Sequence, residues 1–416
     1  MKQWRGPSEE IRLTPIPAIV VGAGPIGLTA ALALRARGVP ATIIEAEPEN
    51  RQRPGSRAIY IHGATLKVLE RIRPGLGWGF VSHGLVWPTR RTTYRGREVF
   101  AKSYRLPPPD VLPHFTSLPQ VVAERVLLQA CREMGVQIIW GEPIARVDAG
   151  PGGVTLTAQS GHAWQAQYVI AADGARSTVR KQVGIEMEGS RSENTFVIVD
   201  VAEVEDAPLP LERVFHYEHP AVGGRNVLLV PFKGGWRADL ECHQDDNPDQ
   251  WSDGPGLKKW ISDTLGPRYA GRITWVSTYQ FLQVIARRFA DASHRVLLVG
   301  EAAHLFAPFG ARGMNSGVPD ADSAAAAVAT ALAGADAQAA AAAVDTFDAE
   351  RRAAAEWNRS CAGVALEHLQ ARTLGQRLKR RIAALLAPLW EGAGKWLDEA
   401  PYGPRTPPPS AAGGKY

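Results

Sequence analysis

The sequence predicts an α/β protein in which an antiparallel β-sheet is inserted into a parallel βαβ core and further helices follow. The core is predicted from a short apolar run at residues 18–21, an Ala- and Leu-rich helical segment at residues 25–37 and a second strand at residues 41–45. The inserted sheet is predicted from strand-like runs between residues 194 and 243, which turns containing Gly or Pro separate. These patterns indicate one domain that a second domain interrupts.

A chain of 416 residues is long enough for two or three structural units. Strand-like alternation also occurs between residues 81 and 104, ahead of a helical pattern at residues 120–134. We therefore expect a discontinuous nucleotide-binding domain and a β-sheet domain that is inserted into it. The expected segments are 1–78, 112–186 and 276–360 for the first domain, 79–111 and 187–275 for the second, 361–403 for C-terminal helices and 404–416 for a disordered tail.

The composition is that of an ordinary soluble globular protein, with 45% hydrophobic and 21% charged residues. The net charge of +5 is spread along the chain. The basic runs at residues 351–352 and 379–381 are interpreted as solvated helix faces, so no nucleic-acid partner is expected. A segment with Ala-rich helical character at residues 321–355 is expected to form two packed helices.

The cysteines Cys131, Cys242 and Cys361 are odd in number and far apart, which fits neither a disulfide framework nor a metal site. A reducing cytoplasm is the simplest compartment for such a chain. The apolar run at residues 16–34 is interrupted by glycines and prolines, so it is interpreted as neither a signal peptide nor a membrane helix. We therefore expect a cytoplasmic protein without a membrane partner, present as a monomer or a homodimer.

A G-x-G-x-x-G turn stands between the first predicted strand and the first predicted helix. Its residues are Gly22, Ala23, Gly24, Pro25, Ile26 and Gly27. The first glycine permits the tight turn, the second lets the backbone approach a pyrophosphate, and the third lets the helix pack on the strand. Glu45 ends the second strand about twenty residues further on, where a carboxylate accepts hydrogen bonds from ribose hydroxyls. This combination predicts a Rossmann-like dinucleotide site.

Two more turns of the strand-to-helix type occur much later in the chain. In residues 168–184 a strand breaks at Asp173-Gly174, and in residues 295–317 a strand runs into Gly300-Glu301 before a new helix. Gly-rich turns so far apart suggest one long cofactor that is held at both ends.

In order and spacing, the three turns resemble the fingerprints of the class A FAD-dependent aromatic hydroxylases, the family around para-hydroxybenzoate hydroxylase. The resemblance extends from about residue 16 to residue 402. The stretch GLVWPTRRTTYRGREVF is most similar to phenol- and hydroxyphenylpropionate-type hydroxylases. The family implies noncovalent FAD, with its ADP half on the first turn and its ribityl and flavin half on the last.

The resemblance also implies individual contacts. Arg57, in PGSRAIYIHGATLKVLE, would reach FAD from the loop after the second strand, and Gln120, in LPQVVAERVLL, would touch the ribityl chain. Asp173 would lie near the flavin and the pyrophosphate. In the last turn, Glu301 would take the ribityl contact of the family's usual Asp, and Pro308 would line the flavin pocket.

The helix after the last turn is expected to hold the pyrimidine end of the flavin through the backbone N–H groups of Gly313, Met314 and Asn315. The physical reason is independent of the family, because N–H donors at a helix start stabilise the anionic reduced flavin. Besides Glu301, the sequence departs from the family in having Ala307-Pro308 where two prolines are usual. Pro319 is expected in the first turns of this helix, where its missing N–H costs little.

The function implied is a single-component monooxygenase. NADPH or NADH would bind transiently and reduce FAD, O2 would add at flavin C4a, and the hydroperoxide would hydroxylate a phenolic or related aromatic ring. Alternatives are a tailoring oxygenase that performs epoxidation or Baeyer–Villiger insertion on a polycyclic natural product, and a degenerate FAD-binding protein without turnover. No second G-x-G-x-x-G, metal-ligand cluster or W-x-W-x-I-P segment occurs in the sequence.

No catalytic residue is assigned. His304 is expected to fix the last turn rather than to act as a general base. His216, Tyr217 and His219 lie on a predicted strand of the substrate-side sheet and remain candidates for substrate contact.

Overall fold

The structure is a computed structural model that describes residues 15–53, 55–334 and 336–404, without the side chains of residues 192–194. The start of the first expected segment, residues 1–14, and the expected tail from residue 405 lie outside the described residues. The strands are β1 (Ile16–Val21), β2 (Ala41–Ile44), β3 (Tyr60–His62), β4 (Thr89–Tyr94), β5 (Arg97–Ser103), β6 (Phe115–Ser117), β7 (Gln137–Ile139), β8 (Ile144–Gly150), β9 (Gly153–Ala158), β10 (Ala163–Ala171), β11 (Met187–Ala202), β12 (Glu212–His219), β13 (Arg225–Phe232), β14 (Gly235–Glu241), β15 (Ile273–Ala286), β16 (Val296–Leu298) and β17 (His304–Leu305).

The α-helices stand between these strands and after the last of them. They are α1 (Pro25–Ala36), α2 (Gly63–Ile72), α3 (Leu76–His83), α4 (Gln120–Glu133), α5 (Thr178–Gln182), α6 (Asp249–Ser252), α7 (Gly254–Leu265), α8 (Arg312–Ala333), α9 (Ala337–Gln370), α10 (Leu374–Leu386) and α11 (Glu391–Glu399). The predicted α/β fold class is confirmed. Among the described residues no helix is both long and apolar enough to span a membrane.

A mostly parallel sheet forms the nucleotide-binding half. Its parallel strands run in the order β7-β2-β1-β10-β16, and the hairpin β8–β9 pairs antiparallel with the first half of β10. The interior residues of β1 are buried; α1 packs on β1, β2 and β10, and α4 and α8 pack on α1. Burial on both faces explains why this strand is continuously apolar in the sequence.

The second sheet has the order β17-β15-β11-β14-β13-β12-β4-β5. Its pairs are antiparallel, as predicted, except that β12 and β4 run parallel. Strands β11 and β15 form a long ribbon that reaches from Met187 and Ala286, beside the first sheet, to Val201 and Ile273. The domain boundary expected at residue 276 therefore lies inside β15. Strand β17 of the last Gly-rich turn pairs with this ribbon, which joins the two sheets at the site.

The C-terminal helices cover the outer side of the second sheet. A buried cluster joins Tyr94 and Tyr217 of the sheet to Leu369 of α9, Ala383 of α10 and Leu397 of α11. The predicted pair of Ala-rich helices corresponds to α8 and α9, which pack on each other. The three cysteines are buried and unpaired in disulfides.

Two sequence-based expectations about these helices are wrong in detail. Arg351 and Arg380 are each only 6% exposed, because the helical period turns one residue of each basic run inward, where Asp320 and Glu218 accept its hydrogen bonds. Pro319 stands in the interior of α8, seven residues after its first residue, and not in the first turns. Its missing N–H leaves the carbonyl of Asn315 without the usual helical partner.

Candidate functional site

The three Gly-rich turns meet at one edge of the parallel sheet. The N–H of Gly22 donates to the carbonyl of Ile44 at 2.8 Å, and the N–H of Ala172 donates to that of Val21 at 2.9 Å. In the same way, the N–H of Val299 donates to the carbonyl of Ala171 at 3.0 Å. The chain therefore leaves β2, β1, β10 and β16 side by side at their carboxyl ends. In open α/β sheets this edge is where ligands bind.

The first turn packs directly on the second. Gly22 has a φ of +102°, and a Cβ there would lie 2.5 Å from the carbonyl oxygen of Ala172. A Cβ on Gly27 would lie 1.9 Å from the carbonyl oxygen of Gly22. By contrast, a Cβ on Gly24 would approach only Arg53 Nη1, at 3.8 Å. Two glycines of the motif are thus required by packing, whereas Gly24 leaves its backbone open on one side.

The first turn also contacts the third through Ile26. A Cβ on Gly300 would lie 3.0 Å from Ile26 Cγ1, and a Cβ on Gly317 would lie 2.6 Å from Ile26 Cδ1. The side chain of Ile26 therefore fits between two glycines of the last turn, almost three hundred residues away in sequence. This contact brings the starts of α1 and α8 to one place.

Both helix starts are built as open N-termini. Helix α1 begins at Pro25 after Gly24, and no side chain caps it. Helix α8 begins after Ala311, whose φ is +54° and whose N–H donates to the carbonyl of Pro308 at 2.8 Å. A Cβ on Gly313 would meet no atom within 4 Å. Unpaired N–H groups at two such ends favour anions and carbonyl oxygens.

Asn315 fixes the start of α8 to β3. Its side-chain oxygen accepts from the N–H of His62 at 2.8 Å and from Thr65 Oγ1 at 2.7 Å. Its amide nitrogen donates to the carbonyls of Tyr60 and Ala311. The side chain is fully used inside the protein, and Met314 beside it is only 8% exposed. The groups that this segment can offer to a ligand are therefore those of its backbone.

Glu45 lies at the end of β2 against the first turn. Its buried carboxylate accepts from the N–H groups of Ala23 and Glu47. Arg51 donates to the carbonyl of Ala23 at 2.7 Å, and Arg53 lies 3.8 Å from the Glu45 carboxylate. The sequence reasoning missed both arginines, because only folding the loop back onto the turn brings them there.

The Arg57 loop is held by the second sheet. The N–H and the hydroxyl of Ser56 donate to the buried carboxylate of Asp200 at 2.6 and 2.7 Å. Arg57 itself has a φ of +47°, its carbonyl accepts from the guanidinium of Arg237, and its side chain is exposed. Gly55 has a φ of +90° and leaves no room for a Cβ against the ring of Trp275.

Gln120 lies next to this loop at the first position of α4. Its N–H donates to the carbonyl of Ser56 at 2.9 Å, and its side-chain amide donates to Glu124 at 2.9 Å. The structure therefore brings together Gln120 and the loop of Arg57, two residues that the resemblance placed in contact with FAD. Asp200, 144 residues from Ser56, was missed because it has no local signal.

Glu301 lies at the start of the third turn, with an exposed side chain. The pKa of its carboxyl group is raised because surrounding protein atoms reduce its solvation, and His304 and Arg57 partly oppose this rise. A group that is both accessible and poorly solvated stands in a concave part of the surface. Arg57 is thus among the charged groups near enough to Glu301 to favour its ionised form.

His304 lies beneath this turn and not in the cleft. Its Nε2 is 2.6 Å from the carboxylate of Asp320, which also accepts from Arg351 Nε at 2.8 Å and from the N–H of Gly300 at 3.2 Å. His304 is 2% exposed and stacks on Phe306 with a centroid distance of 4.5 Å. This position agrees with a role in fixing the turn. Asp320 was missed by the sequence reasoning.

Asp173 is used within its own turn. Its carboxylate accepts from Ser177 Oγ at 2.6 Å and from the N–H of Val179 at 3.0 Å, at the start of α5. Burial raises the pKa of this carboxyl group, and the bonds from Ser177 and Val179 oppose the rise. The residue thus shapes the second turn, beside Gly22.

Two groups of aromatic rings flank the last turn. In the first group, the ring centroids of Phe196 on β11 and Phe281 on β15 lie 4.7 Å apart. The ring centroid of Phe309 lies 5.5 Å from that of Phe196 and 6.0 Å from that of Phe281. In the second group, the ring centroid of Phe115 lies 4.7 Å from that of Tyr60 and 4.2 Å from that of Trp87. The sequence reasoning did not select these rings, because they come from distant segments.

Of the three strand residues that were candidates for substrate contact, His216 and His219 lie together, with ring centroids 4.8 Å apart, whereas Tyr217 lies elsewhere. Tyr217 is fully buried under the C-terminal helices, where its hydroxyl donates to the carbonyl of Leu397 at 2.7 Å and lies 2.8 Å from His368 Nε2. His216 Nδ1 is 2.8 Å from Thr93 Oγ1, and burial, with the nearby His219, lowers its pKa to about 3. Tyr217 therefore supports the C-terminal helices.

Comparisons with known proteins fit this geometry. Residues 15–359 match the family model described as FAD binding domain. The chain is 32% identical over 318 residues to 6-methylpretetramide 4-monooxygenase of Streptomyces rimosus, covering 74% of this chain and 54% of that protein. It is 28% identical over 322 residues to para-nitrophenol 4-monooxygenase of Pseudomonas sp. strain WBC-3, covering 74% of this chain and 76% of that one.

Among solved structures, the flavin-dependent monooxygenase PieE, in complex with FAD and substrate, has the same fold. The TM-score is 0.74 at 23% identity, over 93% of this chain and 73% of that one. The chain belongs to the FAD binding domain family, in the class A FAD-dependent aromatic hydroxylase group that its turns resemble. The chain spans about half the length of the Streptomyces rimosus relative.

Proposed function

We propose that this protein is a single-component flavoprotein monooxygenase that uses NADPH or NADH and O2 to hydroxylate a phenolic or related aromatic compound. The observation that carries the proposal is the meeting of the three Gly-rich turns through Gly22 and Ile26. It brings together two helix N-termini and the carboxylate of Glu45 at one edge of the sheet, which supports a site for one long cofactor. The named activities of the relatives, on nitrophenol and on 6-methylpretetramide, support an aromatic substrate.

The residues of the cleft fit FAD. The open backbone at Gly24 and the N-terminus of α1 suit the pyrophosphate, and Glu45 suits the adenosine ribose. Gln120, Arg57 and Glu301 would hold the middle of the cofactor. The unobstructed backbone at Gly313 and its neighbours would meet the pyrimidine ring, beside Pro308.

When bound, FAD supplies the transfer of electrons from the nicotinamide and the activation of O2. The protein's own contribution is electrostatic and geometric. The N–H groups at the start of α8 are held in place by Asn315, so they can stabilise negative charge without reorganisation. Phe196, Phe281 and Phe309 would offer an apolar wall for an aromatic ring and exclude water from it.

The direct test is aerobic NADPH or NADH consumption by the FAD-loaded protein with a panel of phenols, together with detection of a product that carries oxygen from ¹⁸O2. We expect the purified protein to be yellow, to release its flavin on acid precipitation, and to oxidise NAD(P)H faster with a suitable phenol. Poor analogues should divert oxygen to hydrogen peroxide. A protein that cannot be loaded with flavin would contradict the proposal.

A tailoring oxygenase on a polycyclic natural product is the second candidate, because the 32% identical relative is named for such a substrate. Polycyclic phenols in the same panel separate the two. If FAD binds, but no compound accelerates NAD(P)H oxidation or acquires ¹⁸O, the protein is an FAD-binding protein without turnover.

A further inference from the structure

Helix α10 presents its large apolar side chains to solvent. The exposed apolar residues are Leu374, Leu378, Ile382, Leu385 and Leu386, and Leu389 and Trp390 follow directly after the helix. Leu374 is 82%, Leu389 87% and Trp390 62% exposed. Positions 374, 378, 382 and 385 fall on one stripe of an α-helix, so these side chains form a continuous apolar face. We call these seven residues the α10 face.

The other side of the helix, which packs on the protein, carries small residues and a buried cation instead of large apolar side chains. Its buried or half-buried residues are Gln376, Arg380, Ala383, Ala384 and Ala387, of which Arg380 donates to the carbonyl of Leu369 at 3.1 Å and pairs with Glu218. A surface helix ordinarily buries its large apolar residues and exposes its charges. Here the small and charged residues face inward, so the apolar face is directed at a partner outside the protein.

The charge around the α10 face has one sign. The sequence has no Asp or Glu between Glu367 and Glu391. Arg377, Lys379 and Arg381 are exposed on the helix, and among the described residues no carboxylate forms an ion pair with them. Because cations stand at both edges of the stripe, two copies of the helix would bring like charges together.

In contrast to the expectation from the sequence that there is no membrane partner, we propose that the α10 face adsorbs to an anionic lipid membrane surface, with the helix axis in the plane of the interface. Leucines, an isoleucine and a tryptophan on one face with Arg and Lys at its edges are the composition of an interfacial helix. The absence of a membrane-spanning helix among the described residues is compatible with this mode, which needs only an apolar face.

Helix α10 is already formed and fixed to the rest of the protein in the absence of lipid. Thr373 and Gln376 form a reciprocal capping box at its N-terminus, with distances of 3.1 and 3.2 Å. Arg380 ties its inner side to α9 and to the second sheet. No helix has to form on binding, so little of the adsorption free energy is lost to ordering.

The test is binding of the FAD-loaded protein to phosphatidylcholine vesicles, with and without about one third phosphatidylglycerol, measured by co-sedimentation. We expect binding to the anionic vesicles that weakens steeply when NaCl is raised from about 0.1 to about 0.5 M. Arg377→Gln/Lys379→Gln/Arg381→Gln should weaken binding about a hundredfold, from about fivefold for each cation. Lys67→Gln/Lys258→Gln/Arg268→Gln, with exposed cations elsewhere, is the matched control and should bind like the parent.

The apolar contribution is tested separately. Leu378→Ser/Leu385→Ser should weaken binding by about tenfold or more for each leucine, whereas Val111→Ser/Leu211→Ser, at exposed apolar positions elsewhere, should not. Unchanged FAD absorbance in each variant shows that the fold is intact. Absence of binding to anionic vesicles, or equal binding by all variants, would overturn the proposal. So would a concentration-dependent dimer of the parent that Leu378→Ser/Leu385→Ser dissociates, because the face would then be a protein interface.

Discussion

Asp320→Asn should destabilise the protein strongly, because this carboxylate is the centre of the buried group beneath the last turn. Its side chain is 1% exposed and accepts from His304, Arg351 and the N–H of Gly300. Burial alone would raise the pKa of Asp320, but Arg351 and His304 more than offset this and hold the pKa below its usual value. The residue is therefore a carboxylate at neutral pH.

The magnitude follows from what the substitution leaves behind. The side chain of Arg351 is 7% exposed, so removing its partner's charge leaves a buried cation without compensation. Such a loss costs about 3–5 kcal/mol of unfolding free energy. Asp322, two residues further along the same helix, pairs with Arg37 and Arg71, whose side chains are 24% and 60% exposed. Asp322→Asn should cost only about 0.2–1 kcal/mol for each of these more exposed pairs.

Urea unfolding of FAD-loaded parent, Asp320→Asn and Asp322→Asn measures both values under one condition. Asp320→Asn/Arg351→Met should recover part of the loss, because it removes the unpaired cation together with the charge it faced. If Asp320→Asn costs no more than Asp322→Asn, the buried group does not stabilise the turn and the reasoning fails.

Four further outcomes are expected. Arg57→Ala should weaken FAD binding roughly ten- to a hundredfold, from a charged hydrogen bond of about 1.5–3 kcal/mol, and an unchanged dissociation constant in flavin titration would place Arg57 outside the site. Glu301→Asp should bind FAD as well as the parent or slightly better, whereas Glu301→Ala should lose roughly 1–3 kcal/mol; equal affinities of all three proteins would exclude the contact. Phe281→Ala should raise KM for the aromatic substrate and increase hydrogen peroxide release without changing FAD affinity, and unchanged KM and peroxide release would remove Phe281 from the substrate side. Burial, with Arg380 and Lys379 nearby, lowers the pKa of His368 to about 3. Because this pKa is lower in the folded protein than in the unfolded chain, neutral His368 stabilises the fold above about pH 6.5. Protonation of the unfolded chain should lower the free energy of unfolding by about 2 kcal/mol at pH 5. His368→Gln should flatten this pH dependence in urea unfolding, and an unchanged slope would contradict it.

The cofactor half of the fold could be predicted because its signals are local. The strand predicted at residues 18–21 lies within β1, and the helix predicted at residues 25–37 corresponds to α1. In the G-x-G-x-x-G turn between them, Gly22 is required by its contact with Ala172 of the second turn, and Gly27 by its contact with the carbonyl of Gly22. The order of three such turns then predicted a cofactor held at both ends, which the contact of Ile26 with the last turn supports.

The supporting residues could not be predicted, because their partners are distant in sequence. Asp200 lies 144 residues from Ser56, and Arg351 lies 31 residues from Asp320. An isolated Asp on a strand or helix carries no sign of which backbone or cation it will meet. The site therefore divides into residues that touch the cofactor through local motifs and residues that hold those motifs through long-range bonds.

Helical periodicity also predicts only part of how a helix packs. It determines which residues share a face, but the surface that the helix meets determines which face is buried. In α10 that surface offers Glu218, the carbonyl of Leu369 and the packed ring of Tyr217. A cation and small residues satisfy these groups, so Arg380 and Ala383 turn inward and the leucines of the α10 face turn outward. The basic run at residues 379–381 is thus divided between an internal ion pair and the edges of an outward apolar face, and the groups beneath the helix on β12 and α9 impose this division.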